Sequence, residues 1–123
     1  MKTPQFLALS IVATVAFSSN AAFADNDGEK LFNKKCGTCH SLEQGVHKVG
    51  PSLAGIIGRR AGGTNFANYK ALQGASFTWN LENINEWIAD PKKFIGKPTA
   101  MTVKVKKDDE RAAIIAYITG KDN

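Results

Sequence analysis

The sequence Cys36-Gly37-Thr38-Cys39-His40 is the most informative stretch of this 123-residue chain. Two cysteines three positions apart, with a histidine directly after the second, form the pattern CxxCH, which is the signature of covalent haem attachment. Residues three apart lie on the same side of a helical turn, so both sulfurs can bond to one edge of a porphyrin. His40 then lies under the iron as an axial ligand. The motif therefore predicts one haem c, bound covalently through Cys36 and Cys39.

Three other kinds of site also use closely spaced cysteines: a disulfide, a thioredoxin-like redox pair and half of a zinc site. Zinc needs four ligands, and the Cys and His residues beyond residue 24 number four in all, so the two cysteines, His40 and His47 would all have to bind one ion. Thioredoxin-like chemistry belongs to a βαβ context, which the sequence does not show. Haem attachment is therefore the favoured interpretation of residues 36–40.

A ligand on the opposite side of the iron is expected as well, and Met101 is the one methionine beyond residue 24. A single methionine often fills a core, but Met101 lies in a loop-like stretch about sixty residues after His40, from which it can close over the other face. The rival ligand, His47, follows His40 by seven residues on the same side, so a hydrogen-bonded structural histidine or a surface histidine is the better interpretation. A thioether opposite an imidazole raises the reduction potential and leaves no open position, which favours electron transfer over catalysis.

The first 24 residues have the pattern of a secretory signal peptide. Its three parts are a basic start, an apolar middle and a small-residue cleavage site: Lys2, Phe6–Phe17 and Ala22-Phe23-Ala24. The alternative, a permanent membrane anchor, needs about 20 apolar residues, and the apolar stretch is shorter than that. We expect residues 1–24 to be removed and residues 25–123 to form one domain in a bacterial periplasm, without stable membrane insertion.

Charge indicates the kind of partner. Residues 25–123 carry 15 Lys and Arg against 11 Asp and Glu, a net charge of +4. An exported protein does not meet the genome, and the lysines are scattered instead of forming one stripe, so nucleic acid is not expected as a partner. The basic balance predicts association with acidic protein surfaces.

Beyond residue 24 the sequence shows no convincing alternating strand pattern and no internal repeat, and apolar residues recur at helical spacing, which predicts an all-α fold. Three helices are expected, starting after the caps Asp25–Asp27, after Asn80 and at Asp108–Glu110. Pro91 is expected to end the second helix. The stretches Val49–Asn68 and Lys92–Lys107 are expected to be loops because glycine and proline interrupt them.

Taken together, these residues resemble the class I cytochromes c, mitochondrial cytochrome c and its bacterial periplasmic relatives. The resemblance covers nearly all of residues 27–119. The matching stretches are Cys36–His40, Lys48–Arg60, Thr78-Trp79, Asp90–Ile95, Thr99–Met101 and Glu110–Ile118. It implies the cytochrome c fold, about four to five short helices and long loops wrapped around one covalently bound haem. It also implies a soluble, monomeric single-electron carrier that shuttles between respiratory, photosynthetic or periplasmic oxidoreductases and is not an enzyme.

The resemblance implies roles for further residues. The carbonyl of Pro51 would accept a hydrogen bond from His40 and fix the orientation of its ring. Partners for the haem propionates would be Arg59, Tyr69, Trp79 and Thr99. Docking of a cytochrome bc complex, oxidase, reaction centre or periplasmic dehydrogenase would use Lys34, Lys35, Lys92, Lys93 and Lys97. The sequence departs from the family at Trp87, where a tyrosine usually faces the ligating sulfur, and at Ala100, which replaces a lysine.

Overall fold

The computed structural model describes residues 25–121, with side chains from residue 27 onward, so the expected signal peptide lies outside the described residues. Over this range the structure has four helices: α1 (Asp25–Lys35), α2 (Leu81–Ala89), α3 (Pro91–Ile95) and α4 (Asp108–Gly120). Residues 25–121 contain no strand, and their one ladder contact is an isolated antiparallel bridge between Arg60 and Thr78. The predicted all-α fold is confirmed. None of the four helices is long and apolar enough to cross a membrane.

Helices α1 and α4 cross at a point where the sequence places a glycine. Gly28 is buried against the backbone of α4, and the ring of Phe32 lies 5.6 Å from that of Tyr117. Ile114, on the facing side of α4, is fully buried. Glycine lets two helix backbones approach more closely than any residue with a Cβ atom. This crossing brings the end of α1, and with it the CxxCH motif, against the core.

Helices α2 and α3 follow each other directly, and a side chain caps the start of each helix. The side chains of Asn80 and Asn83 form a reciprocal capping box at the start of α2, as expected from Asn80. Asp90 ends α2 and accepts a hydrogen bond from the backbone N–H of Lys93 at the start of α3. Pro91 ends α2 as predicted, but the expectation of a loop directly after it is wrong. Proline suits the first turn of a helix, so the same residue begins α3.

The start of α1 also differs from the expectation. Asp25–Asp27 were predicted to precede the helix as caps, whereas α1 begins at Asp25 and includes all three residues in its first turn. Acidic residues suit this position because the helix dipole is positive there. The predicted start of α4 at Asp108–Glu110 is confirmed.

Replacing Gly28 with alanine is expected to destabilise the protein by about 2 kcal/mol, as overpacking in a well-packed core does. A Cβ atom there would lie 2.5 Å from the carbonyl oxygen of Ala113 and 2.9 Å from Cβ of Tyr117. Gly120→Ala, at the open end of α4, has nothing within 4 Å and is the control. Urea unfolding of the haem-bound protein measures both variants, and equal midpoints for the two would contradict the close crossing.

Candidate functional site

A mostly apolar cavity of about 240 Å³ lies between the CxxCH motif and the loop before α4. Every residue predicted for the site lines it: Cys36, Cys39, His40, Pro51, Arg59, Tyr69, Trp79, Thr99 and Met101. These residues come from parts of the chain as much as 65 positions apart. The remaining wall is largely aliphatic, with Ile56, Ile84, Ile88 and Ile114 among its members. Folding therefore collects the predicted site residues in one place.

Both cysteines lie just after α1 and are free thiols within residues 25–121. Burial, the largest influence, raises the pKa of Cys36 to about 11, against a smaller lowering by Lys35. The Cys36 thiol is therefore protonated at neutral pH. A disulfide-exchanging or metal-binding cysteine needs a lowered thiol pKa, and no group of three or more His, Cys, Asp or Glu side chains in the described part could hold a metal ion. The thioredoxin-like and zinc interpretations thus lack support.

The hydrogen bond of His40 fixes its tautomer. Nδ1 of His40 lies 2.8 Å from the carbonyl oxygen of Pro51. A carbonyl oxygen only accepts, so Nδ1 carries the proton, and Nε2 keeps the lone pair that a metal requires. Burial lowers the pKa of His40 and Arg59 adds to that effect, although the bond to Pro51 opposes it. The imidazole is consequently held neutral and oriented, as an axial ligand must be.

Gly50 allows this arrangement. The imidazole of His40 packs so closely on its backbone that a Cβ atom at position 50 would lie 2.8 Å from Nδ1 and 3.0 Å from Nε2. The N–H of Gly50 also donates to the carbonyl of Cys39 at 2.8 Å. The loop that carries Pro51 is thereby pressed against the CxxCH motif.

Met101 lies in the loop between α3 and α4, and it lines the cavity. Its sulfur Sδ accepts a hydrogen bond from the indole Nε1–H of Trp87 at 3.1 Å. Trp87 is buried and makes edge-on ring contacts with Trp79 and Phe94, at 5.6 and 6.0 Å, so its indole is aimed firmly. A thioether sulfur has two lone pairs, and one N–H leaves the second for a soft metal. The indole thus donates at the position where the resemblance implied a phenol.

The loop around Met101 is anchored at its far end. The backbone N–H of Val105 donates to the carbonyl oxygen of Ile88 at 2.8 Å. The buried guanidinium of Arg111 donates to the carbonyl oxygens of Val105 and Lys106 at 2.8 and 2.9 Å. Lys104 forms an ion pair with Asp90 at 2.9 Å, which is the largest influence that lowers the pKa of Asp90. Residues 96–103 therefore connect the end of α3 with the anchored residues 104–106, and Met101 lies in this connection.

The structure also shows what the other predicted side chains contact. One guanidinium nitrogen of Arg59 donates to the carbonyl of Ala54 at 3.0 Å. The hydroxyl of Tyr69 pairs with that of Thr64 at 2.6 Å. The hydroxyl of Thr99 bonds within its own loop, accepting from the N–H of Met101 at 2.9 Å and donating to the carbonyl of the same residue at 3.1 Å.

Sequence reasoning missed two contributors to this site. Gly50 is one, although a Gly-Pro pair at 50–51 in a predicted loop suggests a tight backbone approach. The other is the bridge made by His47, a residue that was expected only to be a structural or surface histidine. Both of its ring nitrogens are hydrogen-bonded, to the backbone N–H of Ser52 and to Oδ1 of Asn65. No local pattern reveals such a bridge, because Asn65 lies eighteen positions away.

These features fit a covalent haem: an apolar cavity for the ring, two free thiols after one helix, a neutral imidazole with an available Nε2, and a thioether that lines the same cavity. Comparison with known families matches residues 26–121 to the family described as Cytochrome c. The chain belongs to the cytochrome c family. Members of this family carry electrons and are not enzymes, so the protein is an electron carrier with one covalent haem c at its CxxCH motif.

Individual cytochromes c resemble the chain over most of its length. Cytochrome c2 of Rhodospirillum rubrum is 39% identical over 128 residues, which cover 92% of this chain and 94% of that protein. Cytochrome c of Chlamydomonas reinhardtii is 41% identical over 93 residues, 74% of this chain and 83% of the relative. Cytochrome c-550 of Novispirillum itersonii is 42% identical over 97 residues, 69% and 87% of the two chains. The relatives thus include bacterial proteins and one from a eukaryote.

Proposed function

We propose that this cytochrome c is a soluble, monomeric periplasmic carrier whose haem iron is held by His40 and Met101. The observation that carries the proposal is the hydrogen bonding of the two side chains. Nδ1 of His40 donates to Pro51, and Sδ of Met101 accepts from Trp87, so each presents one unused lone pair. The haem supplies reversible one-electron exchange. The protein's part would be to hold the iron through His40 and Met101 and to exclude small reactants.

The propionate partners that we propose are Arg59, Tyr69, Trp79 and Thr99. All four line the cavity together with the ligands. A buried carboxylate is costly unless cations and hydrogen-bond donors surround it. Arg59 brings a positive charge, and the indole and hydroxyl groups of the others bring donors. The hydroxyls of Tyr69 and Thr99 now bond Thr64 and Met101, so these two would exchange or share those bonds.

The proposed docking face uses the lysines that the resemblance singles out. Lys34, Lys92, Lys93 and Lys97 are exposed, which suits a role in steering. Lys35 is half-buried and pairs with Glu110 at 3.4 Å, so it is the weakest member of the set. The partners are acidic faces of redox proteins such as a cytochrome bc complex, an oxidase, a reaction centre or a periplasmic dehydrogenase. Removal of residues 1–24 as a signal peptide accompanies this location.

Charge reversal on this face is expected to slow association. Lys92→Glu together with Lys93→Glu should lower the second-order rate of electron transfer with an acidic redox partner by about tenfold at low ionic strength, because steering by charge accelerates encounter by 10 to 1,000 times. The difference should shrink as salt screens the charges. Stopped-flow kinetics across a salt series measures it. Arg60→Glu together with Lys121→Glu makes the same change in net charge at two exposed residues outside this face, and an equal slowing there would contradict a local docking face.

Absorption spectra of the oxidised and reduced protein, combined with its intact mass, test the proposal. Expression of the full chain in a host with haem-attachment machinery should give a mass equal to residues 25–123 plus one haem. The oxidised protein should show the low-spin spectrum with a sulfur-to-iron band, and the reduced protein should not bind carbon monoxide at neutral pH. Rapid binding of carbon monoxide would indicate an open site and a haem enzyme or gas sensor. A colourless product would favour a thiol redox protein.

A further inference from the structure

The peptide unit between Pro51 and Ser52 is hydrogen-bonded to a histidine at each end. Its carbonyl oxygen accepts from Nδ1 of His40 at 2.8 Å, and its N–H donates to Nδ1 of His47 at 3.0 Å. The two atoms belong to one planar amide in which the nitrogen lone pair is shared with the carbonyl. The two imidazole rings are therefore joined through a single conjugated group.

Each proton in this chain of bonds has a determined position. The N–H of Ser52 only donates, so Nδ1 of His47 carries no proton. The proton of His47 is then on Nε2, which donates to Oδ1 of Asn65 at 2.7 Å. Nδ1 of His40 carries a proton because Pro51 offers it only a carbonyl oxygen. In all three hydrogen bonds the donor is consequently the group on the His40 side, and the acceptor is the group on the Asn65 side.

The shared peptide is anchored and shielded from water at its Ser52 end. Ser52 is only 2% exposed, and its hydroxyl donates to the carbonyl of Glu43 at 2.6 Å. The ring of His47 packs on that of Phe66 with 5.6 Å between ring centres. Hydrogen bonds that run head to tail in a low dielectric polarise one another. The arrangement therefore transmits a change at His47 to the far side of the peptide.

We propose that His47 is a positioning residue that strengthens electron donation by His40 and so lowers the reduction potential. An acceptor on the N–H of Ser52 shifts the amide towards the form with more negative charge on the Pro51 oxygen. That oxygen then draws more strongly on the Nδ1 proton of His40, which leaves its Nε2 richer in electrons. A richer donor favours the oxidised metal. The inference rests on the proposed function, in which Nε2 of His40 binds the iron.

His47 also joins two loops, so it has a structural role in addition to the proposed effect on electron donation by His40. Through Asn65 and Phe66 it connects residues 43–53 with residues 64–66. Loss of that connection alone would lower stability without a defined effect on the donor strength of His40. The two ring nitrogens of His47 serve different partners, so substitutions that keep one or the other distinguish the two roles.

His47→Asn and His47→Gln form the matched pair. The amide oxygen of asparagine takes the place of Nδ1 and still accepts from Ser52, whereas the longer glutamine replaces the Nε2–H that reaches Asn65 and leaves Ser52 without an acceptor. In the haem-bound protein, His47→Gln should raise the reduction potential, move the Nδ1–H resonance of His40 upfield and speed exchange of the Ser52 amide by about tenfold, the value of one hydrogen bond. His47→Asn should change the potential, the His40 resonance and the Ser52 exchange rate much less than His47→Gln does, despite a similar loss of stability.

Asn65→Ala keeps the inference testable if a His47 variant does not fold, since Asn65 is exposed. This substitution removes the acceptor at the end of the chain of hydrogen bonds, and it should raise the reduction potential by less than His47→Gln does. The wild-type protein is measured first: absence of the sulfur-to-iron band there refutes the proposed function itself. With that band present, the inference is refuted by unchanged potentials and His40 resonances in His47→Gln and Asn65→Ala, or by equal shifts in His47→Gln and His47→Asn.

Discussion

Met101→Ala is expected to abolish the sulfur-to-iron absorption band and to lower the reduction potential by on the order of 0.1 V, a fraction of the roughly 0.8 V range that axial ligands span. The thioether favours reduced iron, so its loss favours the oxidised form. An open coordination position should let the reduced variant bind carbon monoxide rapidly. Potentiometric titration followed optically, with carbon monoxide mixing, measures both effects.

Trp87→Phe is the matched control for this substitution. It keeps the sulfur of Met101 and an aromatic ring beside Trp79 and Phe94, and it removes the indole Nε1–H, whose nitrogen lies 3.1 Å from Sδ, together with part of the buried ring system. We expect the sulfur band to persist, carbon monoxide to stay excluded and the potential to shift by much less than in Met101→Ala. If Met101→Ala keeps the wild-type spectrum and potential, Met101 is not the ligand, and the carrier needs a different one.

The sequence predicted elements that depend on local chemistry. The cap at Asn80 and the acidic start at Asp108 were recognisable because capping requires specific side chains at specific positions. Pro91 was correctly expected to stop α2, yet the five-residue α3 that follows was missed. A helix so short has no periodic pattern, and it depends on the side chain of Asp90, which caps it.

The candidate site was predictable where a motif or a resemblance named its residues, and all nine line one cavity. Orientation was not predictable. That the Trp87 indole reaches Met101 depends on its packing against Trp79 and Phe94, which lie outside α2. The pairing of Lys35 with Glu110 across α1 and α4 is likewise set by the helix crossing. Such contacts arise from tertiary packing, which no short segment encodes.

Gly50→Ala is expected to destabilise the haem-bound protein by about 3 kcal/mol, through overpacking and loss of a buried hydrogen bond. Gly50 is not among the glycines with positive φ, so the backbone tolerates alanine and the clash alone decides the outcome. The new Cβ atom would meet Nδ1 of His40 at 2.8 Å. The ring is tied to Pro51 on the same edge, so either that hydrogen bond or the ring position must give way. Urea unfolding and the oxidised spectrum measure both consequences.

Gly45→Ala separates this clash from an ordinary loop substitution. Gly45 has a φ of 74°, and a Cβ atom added there would have nothing within 4 Å, so alanine strains the backbone by about 1 kcal/mol without contact to His40. Its spectrum should match wild type. In Gly50→Ala the low-spin spectrum should weaken and the yield of haem-bound protein should fall, because the ligand no longer stands where the CxxCH motif presents it. Equal stability and equal spectra for the two variants would mean that the loop yields to the methyl group, and that Gly50 does not hold His40 in place.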